Sequence, residues 1–154
     1  MKPIIVTLVG LPGSGKSTAT KGYKPGITIS SDAIRKELYG SEEIQGNPAE
    51  VFDVFYKRAK EISKSEDVIV LDATNLTIKN RKRIFETFPT ENYTHYAFVM
   101  NVPYETCLER NSKRERVVPE AVMERMWKQY QRPTLNEGYD AVINMIKENF
   151  ENEN

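Results

Sequence analysis

The stretch PIIVTLVGLPGSGKST, residues 3–18, constrains the fold more than any other part of the chain. Seven mostly aliphatic, β-branched residues end abruptly at Gly10, which is the pattern of a buried strand closed by a turn. Gly10, four further residues, Gly15, Lys16 and Ser17 then reproduce the spacing of a phosphate-binding loop set between a strand and a helix start. A chain that opens this way is committed to a sheet with helices packed on it.

The spacing has chemical reasons. Glycines at 10, 13 and 15 permit backbone angles that side chains forbid, so consecutive N–H groups of Gly13, Ser14 and Gly15 converge on phosphate oxygens. Lys16 reaches the β- and γ-phosphates, the Ser17 hydroxyl is a ligand for Mg²⁺, and Thr18 continues the helix whose positive end faces the anion. ATP and Mg²⁺ are therefore the expected cofactors. The loop does not say whether the phosphoryl group goes to water, to a small molecule or to a polymer end.

Along the rest of the chain, apolar runs alternate with stretches of helical period. GITIS from Gly26, DVIVLD from Asp67 and THYAFVMNV from Thr94 read as further strands. Between and after them, three segments carry an apolar face at three- and four-residue steps. They are Pro48 to Ser63 (Val51, Val54, Phe55, Ala59, Ile62), Thr77 to Phe88 (Ile78, Phe85, Phe88) and Pro119 to Gln131 (Val122, Met123, Met126, Trp127, Tyr130). The expectation is one α/β domain over residues 1–146, with a mostly parallel four- to five-stranded sheet, helices on both faces and a basic helical lid. A polar tail, residues 147–154, follows.

Composition excludes several classes. The 154 residues suit one domain, and 22 Lys plus Arg against 22 Asp plus Glu leave no overall charge to attract nucleic acid, so any such partner needs a local basic groove. Cys107 is the only cysteine, which rules out an internal disulfide and suits a reducing cytoplasm. The apolar start is too short for a signal sequence or a membrane span, so a cytoplasmic protein without membrane contact is expected. Nothing in the sequence calls for an obligate protein partner.

Three stretches bear on the acceptor. In SSDAIR, Ser30 or Ser31 is a helix cap that puts Asp32 in the first turn and Arg35 on the same face. Asp32 is placed either as the base that deprotonates an acceptor hydroxyl, with Arg35 gripping an anion on that acceptor, or as a dipole-favouring residue paired with Arg35. In VIVLDATN, the strand-end Asp72 either approaches Mg²⁺ or caps the next helix, a task open to Thr74 and Asn75 as well. In ERNSKRERVVPE, Arg110, Lys113, Arg114 and Arg116 crowd into seven residues, as a lid over a triphosphate or as an exposed basic turn. KNRKR from Lys79 and YKRAK from Tyr56 line the approach to the site or are solvated helix faces.

With GLPGSGKST, SSDAIRKEL, VIVLDATNLTIKNRKR and above all NVPYETCLERNSKR, the chain resembles the phage and bacterial polynucleotide kinases from its first strand to about Val142. The resemblance implies phosphorylation of 5′-hydroxyl ends of DNA or RNA, with a footprint of a few nucleotides. It implies Asp32 as general base, Arg35 on the acceptor's 3′-phosphate, Lys16 and Ser17 as the loop lysine and serine, and Arg114, with Arg110, on the transferring phosphates. Two departures stand out. The D-x-D-G-T motif of the phosphatase domains joined to many family members is missing, so a kinase domain alone is expected, and DATN has one residue more than the DTN of some phage enzymes. The stretch RPTLNEGYDAV also resembles a wider group of small kinases and ATP-binding proteins. A kinase of a sugar, nucleoside or antibiotic hydroxyl and a nucleotide-dependent switch are the competing readings.

Overall fold

The computed structural model describes residues 1–16, 26–41, 46–114 and 116–146. Five strands, β1 (Ile4–Val9), β2 (Ile27–Ser30), β3 (Val68–Asp72), β4 (Thr94–Asn101) and β5 (Ala141–Ile146), form one sheet in the order β2-β3-β1-β4-β5. All four pairings are parallel. β1 lies between β3 and β4, and the chain leaves it to one side for β2 and β3 and returns to the other for β4 and β5. The strand order thus reverses at β1, and the crevice outside its carboxyl end is the place where such sheets bind ligands.

Four of these strands are those expected from the sequence; the fifth, AVINMI, was allowed for but not located there. It is an edge strand whose described side chains are half-buried or exposed, Ile143 at 40%, so it lacks the dense apolar signal of a central strand.

Alternation along the strands splits the core. Ile5, Ile69, Leu71 and Ile29 point to one face, where they meet Ile34, Val51, Phe55, Ala59, Ile84 and Phe88 from three helices. These are α1 (Ser31–Tyr39), α2 (Pro48–Ile62) and α3 (Ile78–Thr87). Val6, Leu8, Val70 and Phe98 form the apolar side of the opposite face. The helix expected directly after the loop lies outside the described residues. Two more helices, α4 (Tyr104–Ser112) and α5 (Glu120–Gln129), join Leu11, Leu76, Val102, Cys107, Val118 and Met123 in a third cluster beside the loop.

Local chemistry sets the helix starts. Ser30, not Ser31, caps α1 by accepting from Ala33 N, and Gly40 ends it in the left-handed region. Asn47 caps α2 ahead of Pro48, and Thr77 caps α3 by accepting from Asn80 N. The apolar face expected for α3 needs correction. Ile78 is 46% exposed at the first turn, whereas Phe88 is buried and half-buried Phe85 packs on His95 and Tyr139 as expected, and Arg81 and Ile84 join them inside. Arg81 is buried because Glu137 takes its Nε and Nη2 at 2.9 and 3.2 Å while Nη1 donates to Asn75 O at 2.9 Å. Trp127 also departs from the expected inward face. It is 47% exposed, with its ring stacked 5.5 Å from Tyr104.

Candidate active site

The loop leaves β1 at Gly10, whose N–H donates to Thr74 O at 3.0 Å, and Gly13 and Gly15 take φ of +81° and +93°. A Cβ at Gly13 would stand 2.6 Å from Cys107 O, so the loop is packed directly on the backbone of α4 and only glycine fits there. Lys16 curls back over this turn and donates to Gly10 O and Leu11 O, both at 2.9 Å. Burial lowers its pKa to about 8, against the opposing pull of the Asp72 carboxylate. The buried Ser14 Oγ has no hydrogen-bond partner. Ser17 and Thr18 lie outside the described residues.

Across a cleft of about 170 Å³ from the loop stands Asp32, in the first turn of α1. Its carboxylate accepts from Arg35 Nη1 at 2.6 Å, from Arg114 Nη2 at 2.9 Å and from Arg116 Nη1 at 3.4 Å. Asp32 does pair with Arg35, but it is no isolated surface pair: the Arg35 side chain is 7% exposed, and two arginines arrive from a segment more than eighty residues away. Arg35 Nε and Arg114 Nη1 are buried without partners. Lys16, Arg35, Arg114 and Arg116 line the cleft against Asp32 and Asp72, four cations against two carboxylates. A chain with no net charge thus keeps a local surplus of positive charge where its sheet opens.

Asp72 ends β3 in register with Ser30, and burial raises its carboxyl pKa while Lys16 opposes the shift. It does not cap α3, since Thr77 does. Its neighbours in DATN hold the backbone together. Thr74 contributes its carbonyl to Gly10, and Asn75, buried at φ +47°, donates from Nδ2 to Leu8 O at 2.8 Å and to Ala73 O at 3.3 Å. Asn75 therefore fastens the end of β3 to the end of β1. Asn75→Ala should leave these carbonyls without their donor and lower unfolding stability by about 1–3 kcal/mol, measured by urea denaturation; an unchanged midpoint would remove this role.

The basic cluster is a helix end and a turn. Arg110 lies in the last turn of α4, its Nη1 3.5 Å from where a Cβ on Gly15 would sit, so it lies over the loop while Arg114 and Arg116 reach into the cleft. Asn111 holds this turn closed, donating to Val118 O at 2.7 Å and accepting from Val118 N at 3.1 Å. Sequence reasoning did not single out Asn111, and it placed Arg116 in the basic cluster without a task. Phe52 and Met126, which also line the cleft, read in sequence as ordinary helix residues. Only the NSKRER crowding of basic residues pointed to Arg116.

These residues fit a nucleoside triphosphate. The cleft is lined by Lys16 and by Arg35 and Arg114, each with a buried guanidinium nitrogen that has no partner, and beside it runs a loop with Gly13 and Gly15 at positive φ and an unsatisfied Ser14 hydroxyl. For Mg²⁺ the described residues supply Asp72. One carboxylate beside phosphate oxygens matches the way that ion is usually held, and no cluster of three or more His, Cys, Asp or Glu occurs among them. Among the described residues no helix is long and apolar enough to cross a membrane.

The family model described as AAA domain matches residues 5–133. A protein of Autographa californica nuclear polyhedrosis virus, named a bifunctional polynucleotide kinase/RNA ligase, is 28% identical over 134 residues, covering 75% of this chain and 19% of the viral one. This chain thus spans about a fifth of that relative's length. Among solved structures, Chaetomium thermophilum Kti12 in complex with ADP-AlF3 superposes with a TM-score of 0.70 at 16% identity, covering 93% of this chain and 89% of that one. A gluconokinase from Sinorhizobium meliloti 1021 gives 0.54 at 17% identity, with 94% and 82% covered. At these identities the two structures establish the shared fold.

Proposed function

The chain belongs to the AAA-domain family and has the P-loop kinase fold, and from that premise we propose that it transfers the γ-phosphoryl group of ATP to the 5′-hydroxyl of a DNA or RNA end. The observation that carries this reading is the pairing of Asp32 with Arg35 at the mouth of the phosphate loop. A carboxylate there serves an alcohol acceptor, and an almost buried guanidinium with an unsatisfied Nε serves an anion that the acceptor brings with it. A nucleic-acid end carries both, a hydroxyl and its own 3′-phosphate. The name of the viral relative points the same way.

When bound, ATP supplies the transferable group and Mg²⁺ offsets its charge; Asp72 and Ser17 are the residues assigned to hold the metal. Lys16 and Arg114 stabilise the negative charge of the transferring phosphoryl, with Arg110 over the loop on the nucleotide side. Asp32 takes the proton from the hydroxyl as the new P–O bond forms and the bond to the leaving diphosphate breaks. The three arginines on Asp32 bear on this step. Phosphates compete with the carboxylate for the guanidiniums, and drawing Arg114 to phosphate frees Oδ2 to accept the hydroxyl proton, while Arg35 and Arg116 share Oδ1.

The decisive experiment is transfer of labelled γ-phosphate by the purified chain to 5′-hydroxyl DNA, 5′-hydroxyl RNA, a nucleoside 3′-monophosphate and free sugars. Labelling of the first three and not of sugars is expected. Transfer only to a sugar, or to a nucleoside lacking a 3′-phosphate, would make this a small-molecule kinase, and slow hydrolysis without transfer would make it a switch. Arg35→Ala should raise the KM of the oligonucleotide at least tenfold while leaving the KM for ATP unchanged. An effect confined to ATP would move Arg35 to the donor side.

A further inference from the structure

Beside the cleft runs a second, larger groove of about 460 Å³, lined by Phe52 and Tyr56 of α2, Thr74, and Lys79, Asn80 and Arg83 of α3. We infer that this groove takes the nucleotides 3′ to the reacting one, a base against the aromatic floor and the next phosphate at Lys79. The inference rests on the polynucleotide reading and extends it from the reacting end to the strand behind it.

Three observations carry it. The two spaces adjoin, sharing Pro48, Phe52 and Thr74 in their linings. They divide the work by size: the cleft, at about 170 Å³, is below the roughly 300–1,000 Å³ of sites that enclose whole small molecules, whereas the groove, at about 460 Å³, falls within that range. The larger space also has the chemistry of single-strand binding, aromatic rings beside cations. Phe52 is half-buried, its ring 5.5 Å from that of Phe55, and the Arg83 guanidinium lies 4.6 Å over the Tyr56 ring.

The cations differ in what holds them. Arg83 is paired with Asp53 at 2.8 Å, which fixes it over the ring. Lys79 is exposed and makes no ion pair or side-chain hydrogen bond among the described residues. An uncommitted ammonium at the outer rim of an aromatic groove suits a phosphate one step along a strand. A small acceptor fully contained by the cleft would never touch it.

The test is a length series: a nucleoside 3′-monophosphate and 5′-hydroxyl oligonucleotides of two, three and five residues, assayed with the wild type and with Lys79→Glu. For the wild type, KM should fall between the mononucleotide and the trinucleotide by about 5- to 100-fold, the range that one base stack supplies. Lys79→Glu should flatten this series by at least fivefold. Its kcat/KM for the mononucleotide, its KM for ATP and its melting temperature should stay as in the wild type, since the side chain is exposed. If the mononucleotide is phosphorylated but added residues leave KM unchanged, or if Lys79→Glu keeps the full length advantage, the groove is not the strand site and the polynucleotide reading survives alone. If no 5′-hydroxyl nucleic-acid acceptor is phosphorylated, both fall together.

Discussion

Asp32→Ala should cut phosphoryl transfer by about 10²- to 10⁴-fold, the usual contribution of a positioned general base, while leaving ATP bound at least as tightly as in the wild type. Both parts follow from geometry. The carboxylate lines the same cleft of about 170 Å³ as Lys16 of the loop, the space where a hydroxyl held for in-line attack would lie. It also occupies three guanidiniums, at 2.6, 2.9 and 3.4 Å. Removing it frees those cations for phosphate, so loss of transfer should come with unchanged or tightened ATP binding. Asp32→Asn keeps the shape of the site but only one of the two acceptor oxygens, and should lose transfer nearly as fully. Single-turnover rates and nucleotide titration separate the two effects. Were Asp32 only a helix-start residue paired with Arg35, its removal would cost a few tenths of a kcal/mol of stability and leave transfer intact. Undiminished labelling of a 5′-hydroxyl oligonucleotide by the alanine variant would therefore end the base assignment.

How far the sequence reached depended on where each residue's partner lies along the chain. The loop and the four strands β1 to β4 are local patterns: β-branched runs, glycines at fixed spacing and a lysine that closes the motif. Asp32 and Arg35 were also legible, because both sit within one helical turn. What a single segment cannot display is convergence from a distance. Arg116 reads as one more basic residue until the fold brings it to Asp32. Asn111 reads as a helix residue until its amide is seen spanning the lid turn. Arg81 sits on an apolar helix face only because Glu137, 56 residues further on, awaits it. Edge strand β5 escaped for a different reason: with one side of its pairing open and Asn144 in its middle, burial does not impose the continuous apolar run that marks β1. Of the two readings left open for Asp72, the helix cap is removed by one bond, since Thr77 supplies that cap.

Lys16→Met should reduce transfer by about 10²- to 10³-fold, as does the loss of one donor aimed at developing charge, and should also erase a pH dependence that the wild type carries. Lys16 donates to Gly10 O and Leu11 O, and burial brings its pKa to about 8. A triphosphate in the loop favours the ammonium form and raises that value. ATP binding is therefore coupled to proton uptake above pH 8: affinity should be flat below about pH 7 and weaken by up to tenfold per pH unit beyond 8. Calorimetry in buffers of different ionisation enthalpy reads the proton directly. The same depression acts on folding with a definite sign. The folded chain binds fewer protons than the unfolded one between about 8 and the ordinary lysine value of 10.5, so the Lys16 contribution to stability rises with pH across that window. Lys16→Met should show neither the proton uptake nor the rise. Lys16→Arg, which cannot lose its charge, should bind ATP without the dependence and still transfer poorly, because a fork does not replace a point charge in a loop this closely packed. Proton uptake that persists in Lys16→Met would assign the titration to another group and leave the lysine as a fixed charge.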